Sequence, residues 1–500
     1  MTQYSRILTT TALLSVLATG AFADVTAKEV WDSFKVQISA YGQLTADESQ
    51  SGDTLAITGI TTRSDVDGVV TETTMGGTIN FRELGDGTVS IELPADMDIN
   101  ISVIGDDAPP VGLNMMLKQE NMQIIASGTA DNMTHEFNAP SLTYLIDAID
   151  VGGEAVTGNM NLTMTDTVGS WVTSGSEIQR NVANYTSAAL TIKGQFSEPG
   201  TSNGFVVDAT INDLTAQTDT MMPEGFADLP PEEMFTSGFG VDGTLTYGAT
   251  TFATQVTDDS QPVNVNGTIE SGTFDFGMDG EAVRYNTSTK NMTTSGTIPG
   301  MPFPPVEVNM DSSSFKFAMP LGQTEEAQNF GLGVTMIGFT VSDFLWAMVD
   351  PAQQLPRDPA NVVLDITGKA NWLVDIFDPE AMANAGPAPG KIESLTLNDL
   401  EVTVAGASLT GKGDFTFDND DLQTFGGVPR PQGAIDLAMS GGITLLDKLT
   451  AMNLVPQEQA MGIKMMSGLF AKPGAEPDTL TSRIEIDPSG SILANGQKIQ

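Results

Sequence analysis

The sequence predicts a mainly β protein, a β-rich α+β chain of long, curved antiparallel sheets with a few short helices, elongated or two-lobed. Three observations carry this. Apolar residues recur with a period of two, as at Leu55 and Ile57, at Ile99, Ile101 and Val103, and at Met160, Leu162 and Met164. That spacing sends alternate side chains to opposite faces of a strand. Hairpin punctuation is frequent, as at Asp67-Gly68 and Gly85-Asp86-Gly87, in a chain with 51 Gly, 26 Pro and only 17% charged residues. Finally, 500 residues exceed the roughly 250–300 that one hydrophobic core supports, so two cores or one elongated sheet are expected.

Residues 1–23 have the form of a secretory signal: Arg6, the apolar run Ala12 to Ala18, then Ala21-Phe22-Ala23 as a small-x-small cleavage site. Export to the periplasm is expected, with cleavage after Ala23 and no transmembrane segment thereafter. Thr26 and Glu29 then fit a capping box, and Trp31, Phe34, Ile38 and Tyr41 give the helix 26–41 one apolar face. Alternating strands follow to about Thr165, and a short helix is expected at Ser176 to Tyr185 before the strand period resumes. The proline-, methionine- and phenylalanine-rich stretches Met221 to Phe235 and Pro299 to Pro305 read as extended loops.

Gly338 to Pro379 differs from its flanks and reads as a joint. Ser342 is placed to cap a short helix carrying Phe344, Leu345, Trp346 and Met348, which Pro351, Pro356 and Pro359 end. Val362, Val363, Leu364 and Ile366 predict a strand covered on both faces. Trp346, Arg357, Asp358 and Trp372 are its expected structural residues, with Arg357 and Asp358 pinning the elbow through a partly buried ion pair. The expected organisation is therefore a β-rich lobe over 24–337, the joint over 338–379, and a second β-rich lobe over 380–500. In that last lobe, helices are expected at Ile443 to Leu454 and Gln457 to Phe470, the latter carrying a core stripe of Met461, Met465, Leu469 and Phe470.

Composition excludes several chemistries. There is no cysteine, hence no disulfide, and a net charge of −43 disfavours nucleic acid and anionic membrane surfaces. His135 is the only histidine, so a multi-histidine zinc site is excluded, and its surroundings lack a nucleophile elbow. No phosphate-cradling or dinucleotide motif is present, so no cofactor is expected. Carboxylates are abundant, which leaves open a carboxylate-dependent enzyme or calcium module acting on envelope polysaccharide. Asp414, Asp418, Asp420 and Asp421 crowd one turn, and Asp65 and Asp67 another, but neither follows the twelve-residue calcium loop. Methionine is plentiful, at 25 residues, and suits pliable grooves as well as cores. An apolar ligand, a lipid or acyl chain held non-enzymatically on a concave β surface, is the leading expectation.

Asp343-Phe344-Leu345-Trp346, Leu355-Pro356-Arg357-Asp358-Pro359-Ala360 and the closing Ile-x-Ile-Asp-x-x-Gly-x-Ile resemble an uncharacterised family of exported bacterial proteins, a domain of unknown function. The resemblance implies export and assigns no activity, and no catalytic or metal-binding residue. In strand grammar alone the chain is similar to the large β-rich envelope proteins that carry lipid along a groove.

Overall fold

The computed structural model describes residues 24–499, apart from 67, 106–108, 176–177, 199, 227–228, 230, 235, 259–260, 298–302 and 387–388. The expected export signal, Asp67 and the middle of the 299–305 loop therefore lie outside the described residues.

Helix α1 (Ala27–Ser39) precedes β1 (Gln43–Ser51), β2 (Thr54–Val66), β3 (Val69–Met75), β4 (Ile79–Glu83), β5 (Val89–Glu92) and β6 (Asp96–Ile104). Then come β7 (Val111–Glu120), β8 (Gln123–Thr129), β9 (Asn132–Val151), β10 (Glu154–Ser174), β11 (Ile178–Ser197) and β12 (Gly204–Pro223). A short α2 (Pro231–Met234) leads to β13 (Gly240–Tyr247), β14 (Thr250–Asp258), β15 (Gln261–Ile269), β16 (Ser271–Asp279), β17 (Ala282–Gly296), β18 (Val306–Pro320) and β19 (Gln328–Val341). After α3 (Asp343–Val349) lie β20 (Ala360–Trp372), α4 (Pro379–Asn384), β21 (Gly390–Val404), β22 (Ala407–Asp418) and β23 (Arg430–Ser440). The chain ends with α5 (Gly442–Ala451), α6 (Gln457–Phe470), β24 (Lys472–Pro473), β25 (Thr479–Ile486), β26 (Ile492–Ala494) and β27 (Gln497–Lys498).

The strands form a single antiparallel sheet. From one edge, β1 pairs with β2, and β2 carries β3 and β4 end to end along its other side. Two half-width ladders continue, β3–β6–β7 and β4–β5–β8, and rejoin on β9. Full-width strands β9 to β12 follow; the sheet splits again into β13–β16 and β14–β15, and closes on β17. From there β18 to β23 and β25 add in order, and β20 pairs with both β19 and β21, so the ladder runs through the joint. Among the described residues no pairing joins β1 to β27, so the sheet is open.

The points where ranks split line up across the strands. Gly59 (φ 61) of β2 faces the gap between β3 and β4; Asn121 (φ 52) lies between β7 and β8. Asp166 (φ 47), Asp213 (φ 53), Asn291 (φ 47) and Gly338 (φ 69) continue the line through β10, β12, β17 and β19. Gly, Asn and Asp tolerate this left-handed backbone best. The alternation of faces slips there: Ala139 and Leu142, three apart, are both buried in one cluster. A left-handed residue within a strand kinks it as a bulge does, so this line is a crease dividing the sheet into two panels.

The core lies at the N-terminal end, where α1 crosses one face. Thr26 and Glu29 make the reciprocal capping box. Val30 and Trp31 are fully buried against Leu55, Ile57, Phe81, Val89 and Ile91. Each such side chain contributes roughly 1.5–3 kcal/mol through burial. Glu48 of β1 accepts from Trp31 Nε1 at 2.7 Å and fixes the helix register.

Several expectations are corrected. Residues from Ile178 to Tyr185 are strand, because β11 finds partners on both sides, Ala183 pairing with Trp171 and Thr218, and cross-strand pairing outweighs local propensity. Met221 to Pro223 finish β12 instead of forming a loop. Tyr41 lies beyond α1 and is exposed. Ser342 occupies the N-cap of α3, but its side chain makes no capping bond. Residues 362–366 are half-buried, since β20 carries no cover on both faces. Met461, Met465 and Leu469 are not core: they are 65%, 71% and 58% exposed.

Candidate functional site: an apolar sheet face and its terminal cavity

Residues paired across antiparallel strands project to the same face, so the register traces what each face carries. Beneath α1 one file runs Leu55, Phe81, Ile91, Ile124 and Phe137. It continues without a charged residue through Gly169, Tyr185, Ala216, Leu245, Phe274, Thr287, Phe315, Val334, Leu364, Leu400, Gly411 and Leu437. A parallel file joins Trp171, Ala183, Thr218, Gly243, Phe276, Tyr285, Phe317, Leu332, Ile366 and Leu397. The next residues along the strands face the other way and are polar. Arg180–Asp219, Lys193–Asp208 and Arg284–Asp242 are ion pairs of that opposite face.

The apolar face is roofed at its two ends. At the first, α1 packs on β1, β2 and β4. At the second, α5 packs on β22 and against α6. Between them Phe274, Tyr285 and Phe315 form an edge-to-face row, with centroids 5.2 and 5.8 Å apart, and Phe315 is 39% exposed.

His135 lies at the α1 end, stacked on Trp171 with 4.4 Å between centroids and met edge-on by Phe34. It is fully buried, and neither ring nitrogen has a hydrogen-bond partner. Burial lowers its pKa to about 4; the Trp171 backbone offsets part of that fall without reaching hydrogen-bond geometry. A neutral imidazole enclosed by aromatics has no substrate within reach. Its place is structural.

At the other end a cavity of about 970 Å³ lies between the α5–α6 hairpin and β21–β23. Val402, Leu409, Met439, Ile443, Leu446, Leu449, Ile463, Met466 and Phe470 line it, and its few polar neighbours include Ser408, Gln459 and Ser467. The hairpin is positioned by Gly441 (φ 71) ahead of α5 and by Asp478, whose carboxylate accepts from Ile443 N (3.2 Å) and Thr444 N (3.0 Å). The Thr444 side chain and these amides hold Asp478 below the usual carboxylate range. Lys464 of α6 bridges to Asp447 of α5.

The joint residues cluster around a second cavity, of about 530 Å³. Arg357 Nη1 donates to Asp343 Oδ1 at 2.9 Å; this, with Asp343 almost wholly exposed, is the ion pair of the elbow, in place of one with Asp358. Asp358 and Trp346 line the same cavity. Asp350 is fully buried and accepts from Gln354 N (2.9 Å) and Leu355 N (2.7 Å), fastening the turn. Burial would raise its pKa, but these amides, with the charge of Arg357, bring it below the ordinary value. Trp372 stands apart, donating from Nε1 to Pro320 O at 2.8 Å. Sequence reasoning found these four residues but missed the cavity beneath α5 and α6, whose lining comes from three strands and two helices.

Of the acidic turn, Asp418 and Asp421 both pair with Arg430, at 2.5 and 3.0 Å, and Asp414 accepts from Thr396. Among the described residues no three His, Asp or Glu side chains converge as a metal site would require.

No curated protein and no solved structure matches the chain. One family does: its description reads "Uncharacterized protein conserved in bacteria (DUF2125)", and it matches residues 239–488. That span runs from β13 to β25 and contains the joint, the α5–α6 hairpin and both cavities. With half of its length so matched, the chain belongs to this family of uncharacterised bacterial proteins.

Proposed function

We propose that the protein is an exported, non-enzymatic binder of an apolar ligand, a lipid or acyl chain, which lies along the apolar sheet face and seats in the cavity beneath α5 and α6. The observation that carries this reading is the continuity of the face: an uncharged file of side chains runs from β2 to β23 and reaches that cavity. Uncovered apolar surface of this extent is costly in water and marks a binding surface. The crease supports a concave arrangement of the two panels around it. Exposed methionine and isoleucine on α6, Met466 and Ile463 among them, suit a roof that adapts to chains of different shape.

The test is direct. Protein purified from its native host is extracted with organic solvent and the extract analysed by mass spectrometry, alongside titration with a fluorescent fatty acid. Co-purified lipid and saturable binding, weakened about tenfold or more by Leu409→Asp inside the cavity, are expected. An empty extract with no saturable binding would overturn the reading. For export, N-terminal sequencing of the mature protein from the periplasmic fraction should begin at Asp24; an intact Met1 there would refute it.

A further inference from the structure

We infer that the cavity beside α3 seats the polar headgroup of a zwitterionic amphiphile whose acyl chain occupies the cavity beneath α5 and α6. The inference rests on the apolar-ligand reading and names the class of ligand. The two cavities adjoin, since Val404 at the end of β21 lines both. Their chemistry differs sharply. One is almost wholly apolar, whereas the other presents Glu307, Ser342, Asp343, Trp346, Arg357 and Asp358. An apolar chamber joined to a polar one is the shape of an amphiphile.

Two donors make the polar chamber more than a surface hollow. Trp346 Nε1 and Ser342 Oγ are buried and have no hydrogen-bond partner. Buried polar groups are almost always satisfied, so a pair of orphans on one cavity wall marks the place of an absent acceptor. A phosphate or ester oxygen between them would accept both bonds, with the guanidinium of Arg357 on the same wall. Charge then selects the rest of the head. Arg357 is the single cation of this chamber, against the three carboxylates of Glu307, Asp343 and Asp358. A purely anionic head meets net repulsion there, while a head carrying an amine beside its phosphate has partners for both charges.

Isothermal titration calorimetry with two probes of equal chain length, lysophosphatidylethanolamine and the corresponding fatty acid, tests this on the full-length protein. The zwitterionic probe should bind at least about tenfold more tightly. Trp346→Phe with Ser342→Ala, which keeps ring and backbone but removes both donors, should abolish that preference and leave fatty-acid affinity unchanged. Equal affinity for the two probes, or a preference that survives the double variant, would overturn the headgroup site while the acyl-binding reading stands. Failure of both probes to bind would remove both proposals.

Discussion

His135 makes stability depend on acidity in a calculable direction. The unfolded chain takes up a proton near pH 6.5, whereas the folded chain, with the ring buried, does so only at about 4. Above pH 6.5 the two states bind equally, and stability is lost as pH falls from there towards 4, by roughly 3 kcal/mol in full. Carboxylates add their own acid sensitivity, so the contrast with a variant isolates the histidine. His135→Phe should show a smaller drop in urea midpoint between pH 6.5 and pH 4 than the parent; identical drops would mean that the ring is solvated. As the chain's lone histidine without a nucleophile elbow, it was legible as non-catalytic. Its stacking on Trp171 was not, because β9 and β10 place the two opposite each other only once their register is known.

Among the elements, the crease strands invite substitution. Asn291 holds φ 47 between the segments of β17 that pair with β16 and with β15. Asn291→Val should cost roughly 1–2 kcal/mol in urea denaturation, since a branched residue resists left-handed backbone, while Asn291→Gly should be near neutral. Equal effects of the two would show that backbone conformation is not the constraint. Helix α6 offers a second measurement. Brief peroxide treatment read by peptide mass spectrometry should oxidise Met461 and Met465, 65% and 71% exposed, well before Met97 and the fully buried Met133. Most strands were readable from their period of two, and α1 from its capping box. The helical stripe of α6 was misjudged because periodicity marks an apolar face without saying that anything covers it. The segment at Ile178 to Tyr185 was misjudged because its asparagines and alanines suit a helix until two neighbouring strands claim its backbone.

For the whole molecule, charge is the dominant long-range force. With a net charge of −43, compactness is opposed by self-repulsion that added salt screens. The ion pairs of the polar face are largely exposed and contribute little against it. The melting temperature should therefore rise between low and moderate ionic strength; a fall would mean that those pairs outweigh the repulsion.

The order in which the ranks are laid down also has a consequence for how the polypeptide reaches this state. Most strands find their partners a few tens of residues away, as β11 does in β10 and β12, so loop closure is inexpensive at every step. Assembly can thus proceed like a zipper, each finished ribbon templating its successor. The lid formed by α1 gives this sequence a starting block, since its partners in β2, β4 and β5 are complete within the first hundred residues. Pulled from its two ends, such a molecule should yield rank by rank, in many small force peaks instead of one.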